Sequence, residues 1–266
     1  MVKPSTSAYY AHTGNRPDGQ DWQPLKDHLT SVAQLAHTRA QAFGAADWAH
    51  LVGLMHDLGK YSQAFQQRLH GSNERADHAT AGAKVVVDHI VEIMGPQFLP
   101  LGKLLAFAIA GHHTGLANGI DEGKERSNLK QRLALEFGKN IPVLDERWRQ
   151  EIELPKTLRT PPLKPHLPQG KYTNFGLMFF ARMLFSCLID ADRIDTENHA
   201  RSTDGKAPLA TTFPNIAILQ AQLGQYLQQL AKGAKQTDVN VWRQHILTHA
   251  RHQALKPRES GLYSLT

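Results

Sequence analysis

The sequence predicts an all-α fold, and three observations carry that reading. Apolar residues recur at three- and four-residue spacing along most of the chain, alternation of period two is hard to find, and proline and glycine punctuate the ends of the periodic stretches. Pro24 suits a first helical turn, after which Leu25, Leu29, Val32 and Leu35/Ala36 share one face. Trp48, Leu51, Val52 and Met55 mark a second helix, closed by Gly59 with a left-handed exit. Ala64, Phe65 and Leu69 give a short third helix. Ala79, Ala83, Val86/Val87, Ile90 and Ile93/Met94 give a fourth, stopped by Gly95-Pro96. Leu101, Leu104/Leu105, Ala108/Ile109 and His112 define a fifth, and Leu129, Leu133 and Phe137 a more charged sixth. Residues 155–170 carry five prolines in a basic setting and read as an insertion loop. The most apolar helix follows over about 172–195, and amphipathic helices over 216–230 and 239–255 close the chain. The whole, 1–266, reads as one domain with its core over about 9–200 and C-terminal helices over about 214–255.

Composition narrows the function classes. With 41% hydrophobic residues the chain can bury a core, which argues against intrinsic disorder. A single cysteine, Cys187, excludes an internal disulfide framework and any cysteine-based zinc knuckle. The longest apolar run, 175–189, is interrupted by Arg182 and falls short of a bilayer span. Lys3 and a polar stretch follow Met1, without the pattern of a signal peptide, so a soluble, cytoplasmic protein with no membrane partner is expected. The net charge of +6 is compatible with a polyanionic partner without demanding one. Histidine is the unusual residue: ten of the 15 lie within 12–113.

Two short words concentrate the chemistry, HDLGK at 56–60 and GHH at 111–113. Adjacent residues inside a helix diverge by about 100°, so neighbouring ligands converge poorly there but can converge at a helix end. His56 and Asp57, and again His112 and His113, stand where such ends are expected. Imidazole with carboxylate suits Mn, Fe, Co, Ni or Zn better than Ca or Mg. One bridging carboxylate among several histidines can hold two ions about 3.5–4 Å apart, the spacing that supports in-line phosphoryl displacement by a metal-activated water.

These words stand in an ordered set: YYAHT at 9–13, HLTSVAQLA from His28, HDLGKYSQAFQQRL, DHATAGA around His78, AGHHTGL, and LFSCLIDADRIDTE at 184–197. The set resembles the HD phosphohydrolase superfamily and, within it, the HD nuclease domain of the type I CRISPR-associated helicase–nuclease, over about 9–197. GLYSLT at 261–266 is similar to the segment that leads into that family's helicase phosphate-binding loop, so an excised or naturally separate nuclease domain without ATP binding is expected. The DADRIDTE wording leans toward forms with the nuclease ahead of the helicase.

The resemblance implies an HD-domain helical bundle and a single-stranded DNA nuclease of CRISPR interference, with little sequence preference. It implies a helicase domain or subunit and a guide-RNA surveillance complex as partners. As cofactors it implies two divalent ions, a transition metal such as Mn, Co, Ni or Fe, or Mg. His28, His56 and Asp192 match ligands of one ion, His78, His112 and His113 those of the other, and Asp57 the catalytic bridging carboxylate. Leu184 and Leu188 share a stripe with Asp192, which also favours it over Asp190 as the last ligand, while Asp195 is expected to pair with Arg193 or cap the helix. Lys60 reads either as a catalytic cation facing phosphate or as a solvated lysine, and His89 as a surface or packing residue. Lys156, Arg159, Lys164, Lys171 and the 124–132 segment either track a nucleic-acid backbone or simply face water. Tyr9, Tyr10, Trp22 and Phe65 either stack on bases or pack in the core. A nucleotide or cyclic-nucleotide phosphohydrolase, and a non-catalytic docking module with a structural metal cluster, are the alternatives.

Overall fold

The computed structural model describes residues 8–74, 76–117, 119, 128–161, 163, 174–209 and 214–254. Two compact units divide the chain, Met1–Leu209 and Ala210–Thr266. The division falls between the expected core and the expected C-terminal helices. Among the described residues the structure is all-α apart from one small ribbon.

In the first unit β1 (Tyr10–His12) pairs antiparallel with β2 (Gln23–Pro24), an element that three and two residues are too few to announce by alternation. The chain then enters α1 (Leu25–Ala40), which buries Leu25, Leu29, Val32, Ala33 and Ala36 together with one polar residue, His28. α2 (Ala46–Met55) packs along α1. A 3₁₀ turn at Leu58–Tyr61 leads to α3 (Gln63–Leu69), whose N-cap Ser62 accepts from the Phe65 amide. α4 (Ala79–Met94) and α5 (Leu99–Gly111) form a second packed pair, joined through Gly95 and Pro96.

α6 (Leu129–Ala134) opens on a capping box between Asn128 and Gln131 and ends before Phe137, which is exposed. The expectation of a helix through Phe137 is therefore corrected: the chain turns there, and Phe137 bridges Ile141 instead. α7 (Trp148–Glu151) is a single turn that seats Trp148 in the core.

α8 (Asn174–Thr203) crosses this assembly and contacts α1, α2 and α5. It runs eight residues beyond the expected end because no glycine or proline follows Asp195 until Gly205, whose φ of 68° turns the chain. By length and composition α8 is also long and apolar enough to cross a membrane, which the shorter run in the sequence was not. Its middle instead buries Phe180, Leu184, Leu188 and Ala191 in the core.

The second unit holds α9 (Ile216–Gly233), capped by the Asn215 side chain, and α10 (Asp238–Ala254). No residue of either helix is buried. Of the Pro-rich stretch, 162 and 164–170 lie outside the described residues, as do 255–266 and with them GLYSLT.

Candidate metal centre

Both helix ends that the sequence singled out build the same local device. The last carbonyls of an α-helix lack helical N–H partners. At the end of α2, Nδ1 of His56 donates to the Gly53 carbonyl at 2.8 Å, and at the end of α5, Nδ1 of His112 donates to the Ile109 carbonyl at 2.7 Å. A third imidazole, His28 on α1, is held through Nδ1 by Asp195 Oδ2 of α8 at 2.7 Å. With Nδ1 carrying the proton in each ring, Nε2 is left as the lone-pair nitrogen. All three histidines are buried.

These nitrogens face one carboxylate. Asp57 is buried directly after α2, and its two oxygens look opposite ways. Oδ2 lies 3.5 Å from His28 Nε2 and 3.4 Å from His56 Nε2. Oδ1 lies 3.2 Å from His112 Nε2 and 3.5 Å from His78 Nε2. Asp192 Oδ1 closes the first side, 3.5 Å from His28 Nε2 and 3.6 Å from His56 Nε2. His113 closes the second, its Nε2 2.7 Å from that of His78. The structure thus brings His28, His56, Asp57, His78, His112, His113 and Asp192 into one cluster, with Asp57 shared between two groups.

Asp57 Oδ1 and His112 Nε2 are buried with no hydrogen-bond partner. Unpaired buried acceptors are costly unless something electropositive satisfies them. A divalent ion on the Oδ1 side meets that need, and the mixed nitrogen and oxygen donors suit a transition metal. The donor set therefore fits the metals that the sequence implied.

Charge follows this geometry. Burial raises the Asp57 carboxyl, but the Lys60 ammonium and then His56 outweigh it and hold the group well below its ordinary range. Burial pulls His56 down, yet the carboxylates of Asp57 and Asp192 overcome it and push the imidazole up to about 10. Without an ion, a proton on His56 partly neutralises the clustered carboxylates. At the other edge burial, then the neighbouring His112, lowers His113 to about 4.

Lys60 is not a solvated lysine: it is buried, its Nζ 2.7 Å from Asp57 Oδ2 and donating to the Ala11 carbonyl at 3.1 Å. An ammonium so committed positions the bridging carboxylate. Gly59 is also corrected, since it is absent from the positive-φ glycines among the described residues. Glycine is required because the His78 backbone passes over it: a Cβ would stand 2.3 Å from the His78 carbonyl oxygen.

Asp190 pairs with Arg39 on the outer side of α8, away from the cluster. Asp195 pairs with neither Arg193 nor a helix end; it turns inward, taking His28 Nδ1 and the Gln23 amide, each at 2.7 Å. His89 packs through its Nε2 to the Pro155 carbonyl. Arg132 is drawn inward, donating to Thr80 Oγ1, the Ala110 carbonyl and both Asp77 oxygens. Lys156 and Arg159 are exposed, while Lys124, Lys164 and Lys171 lie outside the described residues. Tyr9 and Phe65 are buried in the core, and Tyr10 and Trp22 meet edge to face.

The sequence marks His12 only as part of the YYAHT motif and assigns it no role. The residue lies on β1 beside His28 and Asp192, and the one signal that could have found it is its place in the histidine-rich first half of the chain.

Residues 25–145 match the family model of the HD domain, which spans every cluster residue except those on β1 and α8. Over that stretch the chain is similar to an HD domain. HD domains bind divalent metals and are typically metal-dependent phosphohydrolases. No curated protein matches the chain.

Proposed function

We propose that this protein is a metal-dependent nuclease that hydrolyses phosphodiester bonds of single-stranded DNA, in the cytoplasm, in CRISPR interference. The observation that carries the reaction class is the double-faced carboxylate of Asp57, with His28 and His56 on one side and His78 and His112 on the other. His28, His56, Asp57 and Asp192 would hold one divalent ion, and Asp57, His78, His112 and His113 a second. When bound, such ions lower the pKa of water and neutralise charge on the phosphoryl oxygens.

The chain's own groups hold this centre ready. Asp195 and the Gly53 and Ile109 carbonyls keep three imidazoles turned with Nε2 inward, and Lys60 fixes Asp57 between them. His28, His56 and His112 are buried while His113 is exposed, so a phosphodiester reaches the cluster from the His113 side. Stabilisation of phosphoryl charge involves no base contacts, so cleavage shows little sequence preference. The substrate and its delivery by a helicase domain or subunit and a guide-RNA surveillance complex rest on the ordered motifs from Tyr9 to Glu197.

Purified protein with Mn²⁺, Co²⁺ or Ni²⁺ is expected to degrade circular single-stranded DNA, and Asp57→Ala to abolish this. Undiminished metal-dependent cleavage by Asp57→Ala overturns the assignment. Preferential turnover of free or cyclic nucleotides would make the protein a nucleotide phosphohydrolase instead, and DNA binding without cleavage would make it a docking module.

A further inference from the structure

The two sides of the cluster are unequal, and β1 makes them so. A ring nitrogen of His12, a ring nitrogen of His28 and a carboxylate oxygen of Asp192 lie within 4.8 Å of one another. The His12 ring stands edge-on to His28, with centroids 4.9 Å apart and planes at 89°. Its Nε2 is 3.3 Å from Thr196 Oγ1, and that hydroxyl lies 3.5 Å from Asp192 Oδ1, one turn away on α8. His12 is also tied to the His28 clamp through the ribbon. Its partner in the β1–β2 register is Gln23, whose amide donates to Asp195, the carboxylate that holds His28. The strand therefore delivers its imidazole and the support of a neighbouring ligand in one piece.

We infer that His12 is an additional ligand on the His28–Asp192 side of the metal centre. This rests on the metal-dependent reading above and deepens it. With His12 the first position draws on His12, His28, His56, Asp57 and Asp192, whereas the second draws on Asp57, His78, His112 and His113. The first is thus the more fully enclosed by protein donors and holds its ion more tightly. The second, bordered by the exposed His113, is the one with coordination positions free for water and substrate.

The test is Co²⁺ binding to the full chain, followed by calorimetry and by the visible absorption of the bound ion. His12→Phe keeps an aromatic ring against His28 and removes both nitrogens; His12→Ala is the second variant, and circular dichroism checks that each is folded. In a His113→Ala background, which weakens the second position, His12→Phe is expected to reduce Co²⁺ affinity at the remaining position at least about tenfold and to change its absorption spectrum. Unchanged affinity and spectrum in a folded His12→Phe protein overturn the inference and leave His12 a packing residue, with the metal-dependent reading intact. Failure of the unsubstituted protein to take up Co²⁺ overturns both.

Discussion

Protonation of single residues gives the centre a pH dependence of its own. In the ion-free protein His56 is pushed up to about 10 by Asp57 and Asp192 against the pull of burial. A group raised above its unfolded value of 6.5 contributes stability that is fully present below that value and is lost as the pH climbs toward the folded one. His113 works the opposite way. Lowered to about 4 by burial and His112, it resists a proton that the unfolded chain accepts, so stability falls as the pH drops from 6.5 toward 4. His12, lowered to about 3 by burial and then by Lys60, adds to that acid limb. Chelator-treated protein is therefore expected to be most stable near pH 6.5, with a thermal midpoint that declines on both sides. An ion that takes His56 Nε2 must displace its proton, so divalent affinity should rise with pH and the alkaline decline should flatten on loading. Thermal melts between pH 4 and 10, with and without Mn²⁺, check this. A flat ion-free midpoint from pH 6.5 to 9 would contradict the charge arrangement around His56.

Helix junctions set the second side of the centre. Asp77 caps α4, accepting from the Ala79 and Thr80 amides at 3.0 Å and from the Thr80 hydroxyl, and so fixes the chain at His78. Arg132 of α6 then bridges Asp77 and Thr80 to the Ala110 carbonyl near the end of α5, just ahead of His112 and His113. One planar guanidinium thus joins the two segments that carry the Oδ1-side ligands. Arg132→Ala is expected to cost about 1–3 kcal/mol in stability through the acceptors it leaves unpaired. It should also weaken the His78-side ion about tenfold while sparing the other. Arg132→Lys should restore little, because one ammonium cannot serve three acceptors arranged for a fork. Calorimetric titration with Mn²⁺ separates the two positions, and equal weakening of both would show a purely global effect. None of this was legible in the sequence, where Arg132 reads as one more basic surface residue. The reason is distance: Arg132 meets Asp77 across 55 residues, and Asp195 meets His28 across 167. The buried helices were legible because burial of one face imposes its period on the sequence, as in α1 and α4. The adjacent HD and GHH words were legible because a helix end makes neighbours converge.

At the scale of the whole chain, the distribution of burial separates what the centre needs from what it does not. Every group of the cluster, and every support named for it, lies between Ala11 and Thr196. Among the described residues the hydrophobic core likewise ends at Ala191, and no residue of α9 or α10 is buried. Their apolar side chains, Ile216, Leu219, Leu223 and Leu230 on α9 with Val241 and Trp242 on α10, are exposed. Helices of this length without a buried face are marginal in water, so the second unit gains little from a core of its own. A fragment ending at Leu209 is therefore expected to keep the helical signal of the first unit, to unfold cooperatively and to bind divalent ions as the full chain does. The segment from Ala210 onward, taken alone, should be largely unfolded in dilute solution. Circular dichroism, thermal melts and Co²⁺ titration of both fragments decide the matter. A first-unit fragment that fails to fold, or that folds and loses an ion, would mean that the centre depends on residues beyond the core that surrounds it.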